Sequence, residues 1–129
     1  MNTPWLTEPD SENIEAGDMY PRFIKRMPGS GHLCGYIAIP PEHPWHSLGY
    51  DDIECSVHGG LTYARAAEDF DDAAPTGWTV FGFDCAHAGD LVPLRQHVPL
   101  SCYGEYRTIQ YVREQLFELA KQAKAQSKP

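Results

Sequence analysis

The sequence predicts an α+β fold, in which a small, mainly antiparallel sheet of three to four strands packs against a C-terminal helix. Two observations lead to this prediction. Four segments in the middle of the chain alternate apolar and polar residues, as half-buried strands do, and the last segment repeats apolar residues at the spacing of an amphipathic helix. The 129 residues have the length of a single domain. We expect an N-terminal arm over residues 1–30, the sheet and its loops over 31–105, and the helix over 106–126.

The first segment of the chain is polar and acidic. Its acidic residues are Glu8, Asp10, Glu12, Glu15 and Asp18, and it has no apolar run long enough for a signal peptide or a membrane span. We therefore expect an acidic arm outside the sheet. We also expect a cytoplasmic protein with no membrane partner, whose four cysteines, none of them in a CxxC pair, are reduced thiols.

The first predicted strand covers residues 32–39. Leu33, Ile37 and Ile39 fall on one of its faces, which identifies that face as the core side. Tyr36 falls on the opposite face. Two prolines then end the strand.

Two alternating runs, 53–58 and 61–65, flank a pair of glycines. Two glycines between such runs are typical of a two-residue hairpin turn. In this register Glu54 lies opposite Arg65, so opposite charges form a cross-strand pair. The apolar residues of the first run then face the core, and His58 points to the polar face.

The run 78–85 is rich in aromatic residues and predicts a central strand. Phe81 and Phe83 alternate onto the core side. Asp84 then lies on the same side as His58, provided that no bulge interrupts the alternation.

The last element is a helix over residues 106–126. Ile109, Val112, Leu116 and Leu119 recur at intervals of three and four residues and form one apolar stripe. We expect this stripe to cover one face of the sheet.

The chain is strongly acidic. Eighteen acidic residues against ten basic ones give a formal net charge of −8. Repulsion between this charge and phosphates disfavours direct binding of nucleic acid or of anionic membranes. The same charge suits a basic partner surface, including one that normally holds nucleic acid.

The polar face and its rim loops form a candidate ligand-binding site. A histidine beside two glycines presents an imidazole and accessible backbone amides, which suit an anion, while tyrosines supply stacking contacts. The predicted ligand-binding residues are Tyr36, His58, Gly59, Gly60, Tyr63, Asp84, His87 and Asp90.

A divalent metal ion is the alternative occupant of this site. Asp84, His87 and Asp90 have the spacing D-x2-H-x2-D, and with His58 they could hold a metal that activates water for hydrolysis. The spacing matches no established zinc pattern. The competing interpretation is that the two aspartates satisfy the amides of turns.

A second histidine pair, His43 and His46, has the spacing HxxH. Pro44 between them argues against the helical geometry in which such a pair binds zinc. We interpret this segment as a rigid aromatic loop. Because the chain also lacks GxSxG, P-loop, GxGxxG and HExxH motifs, no catalytic residue is predicted.

The strings VHGGLTYA, residues 57–64, and GFDCAHAGD, residues 82–90, resemble a family of small uncharacterised proteins encoded by bacteriophages and prophages. The resemblance covers about residues 32–122. It implies a phage or prophage gene and, by analogy with other small acidic phage proteins, an accessory protein in the cytoplasm of a bacterial host that acts against a host defence system. Such proteins bind a host protein component or sequester a small anionic or nucleotide ligand.

Three functions therefore stand beside one another. The favoured one is a phage-type binding protein that uses the site around His58 and Asp84. The second is a metal-dependent hydrolase that uses the same residues, and the third is an inhibitor whose acidic arm and loop 68–72 imitate nucleic acid. Whether the protein is an enzyme, and whether it is a homo-oligomer, stays open.

Overall fold

The computed structural model describes residues 6–15, 17, 19–71, 73–86 and 106–127. Within these residues the chain forms five strands, one α-helix and three short 3-10 turns. The strands are β1 Ser11–Ile14, β2 Arg22–Arg26, β3 Leu33–Ile39, β4 Tyr63–Ala66 and β5 Thr79–Asp84, and the helix is α1 Ile109–Ala125. The 3-10 turns are Pro44–Ser47, Tyr50–Asp52 and Ala67–Asp69.

The five strands form one antiparallel sheet in the order β1-β2-β3-β5-β4. β3 lies at the centre, and all seven of its residues are buried. β1 and β4 form the two edges. The predicted α+β class is confirmed, with five strands instead of three to four.

α1 covers one face of the sheet. Its stripe of Val112, Leu116 and Leu119 packs on Ile37 and Phe81, which are neighbours across the β3–β5 pair. The predicted core faces of these two strands and of the helix are therefore confirmed. The helix begins later than expected, because the side chain of Thr108 accepts a hydrogen bond from the backbone N–H of Tyr111 and caps the first turn.

The opposite face of the sheet carries a second, smaller apolar cluster. The segment that follows β4 covers it with Ala67, Phe70 and Ala74. Tyr36 and Val80 are the main sheet residues beneath this cover. The sheet is thus buried on both faces, and a polar site on the second face must lie beside this cover.

The expected arm over residues 1–30 is wrong where β1 and β2 lie, because both belong to the sheet. β2 buries Phe23 and Ile24 in the core, whereas β1 is more exposed and ion pairs hold this edge of the sheet. Glu12 of β1 receives two hydrogen bonds from the Arg113 guanidinium of α1, at 2.7 and 2.6 Å. Arg26 of β2 donates to Asp10 at 2.9 Å.

The expected hairpin strand over residues 53–58 is also wrong. The two glycines do form a tight turn with positive φ angles, and Val57 and Ile53 do pack against the helix-side core. However, α1 provides the hydrogen bonds that a partner strand would have made. Gln122 bonds to both the N–H and the C=O of Ser56, at 2.7 Å each, and Gln126 donates to the carbonyl of Glu54.

Among the described residues, α1 is too short and too polar to serve as a membrane-crossing helix.

Candidate ligand-binding pocket

A pocket of about 550 Å³ opens on the face of the sheet that α1 does not cover. We call it the tyrosine pocket, because Tyr36 of β3 and Tyr63 of β4 line it together with Asp84 at the end of β5. Its remaining wall comes from the turn before β3 and from residues beside the two tyrosines. These further lining residues are Met27, Pro28, Gly29, Ser30, His32, Cys34, Thr62 and Phe83.

Strand register explains why the two tyrosines meet. Tyr36 and Tyr63 both pair with Gly82, from opposite sides of β5, so all three lie in one row across the sheet. The two rings are in edge-to-face contact, with centroids 5.1 Å apart and planes at 75°. Phe70 packs against both rings and closes one end of the row.

Gly82 makes room for the Tyr36 ring. A Cβ atom at position 82 would lie 2.5 Å from Cδ1 of Tyr36 and 2.9 Å from the backbone oxygen of Gly35. Any side chain there would therefore displace the ring or the neighbouring strand. The regular pairing of Gly82 with both neighbouring strands also shows that this glycine serves close packing and not a bulge.

Burial keeps two polar groups of the tyrosine pocket, Cys34 and Tyr36, protonated. Burial, with a smaller contribution from the nearby Asp84, raises the pKa of the Cys34 thiol to about 11. Burial likewise raises the pKa of the Tyr36 hydroxyl. Both groups therefore stay protonated at neutral pH, as hydrogen-bonding groups and not as nucleophiles or bases.

Asp84 and the turn before β3 complete the pocket. Asp84 accepts a hydrogen bond from the backbone N–H of Ala86 at 3.1 Å, so it holds the turn that follows β5. That contact agrees with the interpretation of Asp84 as a turn residue, and the pocket gives the same carboxylate a second role. On the other side, His32 Nδ1 and Ser30 Oγ are hydrogen-bonded at 2.6 Å, which orients the imidazole.

The structure brings together only part of the predicted site. Tyr36, Tyr63 and Asp84 line the tyrosine pocket as expected from the alternation of their strands. His58 lies on the other side of the sheet, with Nδ1 2.7 Å from the Tyr111 hydroxyl of α1.

The residues next to His58 in the chain lie on the same side of the sheet as His58, against α1. Its backbone N–H donates to the side chain of Gln115 on α1, and Gly59 and Gly60 form the adjoining turn. The prediction that these residues share the face of Asp84 is wrong, because it depended on the hairpin that α1 replaces. His87 and Asp90 lie outside the described residues.

The described residues contain no group of three or more histidine, cysteine, aspartate or glutamate side chains placed to hold a metal ion. His58 and Asp84 belong to opposite faces of the sheet. His58 therefore does not join Asp84 in one metal site, and the other two predicted ligands, His87 and Asp90, lie outside the described residues.

The HxxH histidines have structural roles. The buried His43 accepts a hydrogen bond at Nδ1 from the backbone N–H of Trp45 and donates from Nε2 to the carbonyl of Ala123, at 2.6 Å. His46 donates from Nε2 to the carbonyl of Gly77. Each ring ties the loop to a different segment, so the two do not act as a metal-binding pair.

Two parts of the pocket were missed in the sequence. Cys34 was interpreted only as a reduced thiol, although its position two residues before Tyr36 places it on the same face. The turn 27–31 contains Pro28-Gly29-Ser30, a sequence typical of turns, but nothing local indicates that it lies beside the end of β3.

Comparisons of the chain with protein-family models, with curated proteins and with solved structures give no match.

Proposed function

We propose that this protein is a small binding protein that takes the planar ring of a nucleotide-like ligand into the tyrosine pocket. One observation carries the proposal: two tyrosine rings in edge-to-face contact lie beside a carboxylate in a cavity of about 550 Å³. Ligand pockets commonly have this composition, with aromatic walls and a few polar groups that fix orientation.

The pocket chemistry matches a nucleobase. The exposed part of Tyr63 offers a surface on which a planar ring can stack, and Asp84 can accept hydrogen bonds from a ring N–H or an exocyclic amine. His32 and Ser30 lie on the opposite wall and suit the polar or anionic remainder of the ligand. Stacking of a base on an aromatic side chain contributes about 1–3 kcal/mol.

Binding is favoured over catalysis by the protonation states in the pocket. A thiol with a pKa of about 11 is a poor nucleophile at neutral pH, and a tyrosine with a raised pKa is a poor general base. The resemblance to phage-encoded proteins supplies the context. A protein that holds a nucleotide signal unaltered would withdraw it from a bacterial defence system.

The two alternative functions have less support. A hydrolase built on His58 and Asp84 would need both on one face of the sheet. A nucleic-acid mimic would need free carboxylates, but Glu12 and Asp10 form ion pairs with arginines, and Asp71 of the acidic loop pairs with Lys25 at 2.6 Å.

The proposal is tested by isothermal titration of the purified protein with a panel of mononucleotides. We expect at least one to bind, and to be recovered unaltered. Tyr63→Ala should weaken that binding by about fivefold to a hundredfold, the equivalent of one lost stacking contact. Asp84→Asn should weaken it while preserving the shape of the pocket.

Tyr50→Ala is the matched control, because Tyr50 is an exposed tyrosine outside the pocket. It should bind as the wild type does. Equal losses of nucleotide affinity in Tyr50→Ala and Tyr63→Ala, or conversion of the nucleotide to a product, would count against the proposal.

A further inference from the structure

A second pocket, of about 590 Å³, lies on the helix side of the sheet between the β1 edge and α1. We call it the Arg22 groove. Ile14 and Phe117 form apolar parts of its wall, Arg22 lies within it, and Glu114 and Glu118 lie along the helix. It has no lining residue in common with the tyrosine pocket.

Arg22 is an unusual residue for a buried position: only 7% of its surface is exposed to solvent. Its guanidinium donates from Nε to the carbonyl of Tyr20 at 3.1 Å and from Nη2 to the carbonyl of Glu15 at 3.4 Å. Both acceptors are backbone groups. Among the described residues, no carboxylate lies within ion-pair distance of Arg22.

The neighbouring arginines show the usual arrangement. Arg113, in the same groove, is held bidentately by Glu12, and Arg26, four residues along β2, pairs with Asp10. A buried charge without a counter-charge is costly, and burial accordingly lowers the pKa of Arg22. A guanidinium has five N–H donors, and the described residues accept from two of those of Arg22.

We propose that the Arg22 groove binds a small monocarboxylate whose apolar body lies against Ile14 and Phe117. The carboxylate would supply the counter-charge that no described residue gives Arg22 and would accept further N–H donors of its guanidinium. Phe117 is 45% exposed, so an apolar ligand would remove from water one of the few large hydrophobic side chains that the described residues leave exposed.

The rest of the groove defines the ligand class further. Glu12 is paired with Arg113 and Glu118 with Lys121, whereas Glu114 adds negative charge beside the groove. This carboxylate repels multiply charged anions such as phosphate and attracts an ammonium group. An α-amino acid with an apolar side chain combines a carboxylate, an ammonium and an apolar body, and is therefore the ligand that we infer.

Isothermal titration with four probes tests this inference: leucine, 4-methylpentanoate, which lacks the amino group of leucine, 3-methylbutylamine, which lacks its carboxylate, and inorganic phosphate. We expect leucine to bind most tightly and 4-methylpentanoate more weakly. The amine and phosphate should not bind. Tighter binding of phosphate than of leucine, or no binding of either carboxylate, would overturn the proposal.

Substitutions locate the binding. Arg22→Met keeps the apolar stem and removes the charge, and should weaken leucine binding by about tenfold to a hundredfold, as expected for a lost charge-assisted hydrogen bond. Arg65→Met is the matched control on the exposed strand β4 and should bind normally. Unchanged binding by Arg22→Met would contradict the proposal.

If Arg22→Met does not fold, Phe117→Ala still decides the question, because the side chain of Phe117 is half exposed. It should weaken binding of leucine while leaving the melting temperature unchanged, and unchanged leucine affinity in this variant would contradict the proposal. Tyr63→Ala should leave leucine binding intact. A lack of leucine binding at the Arg22 groove and a lack of nucleotide binding at the tyrosine pocket can therefore be detected independently.

Discussion

Gly82 determines whether Tyr36 can occupy the tyrosine pocket. A Cβ atom at this position would lie 2.9 Å from the backbone oxygen of Gly35, which belongs to the central strand and cannot move without disturbing the sheet. We therefore expect Gly82→Ala to lower the free energy of unfolding by about 1–3 kcal/mol, the usual cost of overpacking. Urea denaturation measures this value.

Gly29→Ala is the control for that substitution. Its Cβ atom would meet nothing within 4 Å, although Gly29 also lines the tyrosine pocket. Its unfolding free energy should match that of the wild type. A Gly82→Ala protein as stable as Gly29→Ala would show that the Tyr36 ring does not need the space above residue 82.

A site residue could be predicted from the sequence where its position follows from the alternation of side chains along one strand. Tyr36 and Asp84 were assigned to one face because alternation along a strand is a local property. The position of His58 was not predictable in the same way, because it depends on which partner satisfies the backbone of residues 53–57. Glutamines of α1 do so, and Gln122 and Gln126 look in the sequence like any exposed helix residues.

At the scale of elements, the strands that were predicted have a local sequence pattern, and the strands that were missed do not. β3, β5 and α1 carry clear apolar periodicity, and the structure confirms them. β1 was missed because its position depends on an ion pair between distant residues, Glu12 with Arg113, and β2 because its buried pair Phe23 and Ile24 is too short an apolar run to show a periodicity. Charged partners far apart in sequence leave no periodic pattern.

The attachment of β1 to α1 should depend on pH. The hydrogen bonds from Arg113 lower the pKa of Glu12 below its ordinary value of 4.5. A carboxylate with a lowered folded-state pKa contributes stability above its unfolded pKa, and this contribution is lost as the pH falls through the folded pKa. Both side chains are partly exposed, at 25% and 39%, so the contribution is about 1 kcal/mol or less.

Glu12→Gln should therefore reduce stability at about pH 7 and reduce it less at about pH 3, because Glu12 loses its charge as the pH falls through its lowered folded-state pKa. Urea denaturation of both proteins at the two pH values measures the difference. Glu118→Gln, at a more exposed pair with Lys121, is the control and should change little at either pH. A loss of equal size at both pH values would mean that the charge of Glu12 does not hold β1.

At the scale of the whole molecule, the sheet order predicts where the protein opens first. β3 is hydrogen-bonded on both sides and buried along its full length, whereas β1 is a short edge strand held by β2 and by one ion pair with α1. Amides of β3 should exchange with deuterium only through global unfolding, and those of β1 through local opening.

Hydrogen exchange followed by mass spectrometry or NMR tests this order of opening. The Glu12→Gln variant provides a second test. In this variant the exchange of Ser11–Ile14 should become faster, while the exchange of Leu33–Ile39 should follow only the change in global stability. Equal protection of β1 and β3 in the wild type would show that the edge opens with the core. The Arg22 groove would then be a rigid site, because β1 and α1 form its two walls; faster exchange of β1 would instead allow the groove to widen for its ligand without unfolding the sheet.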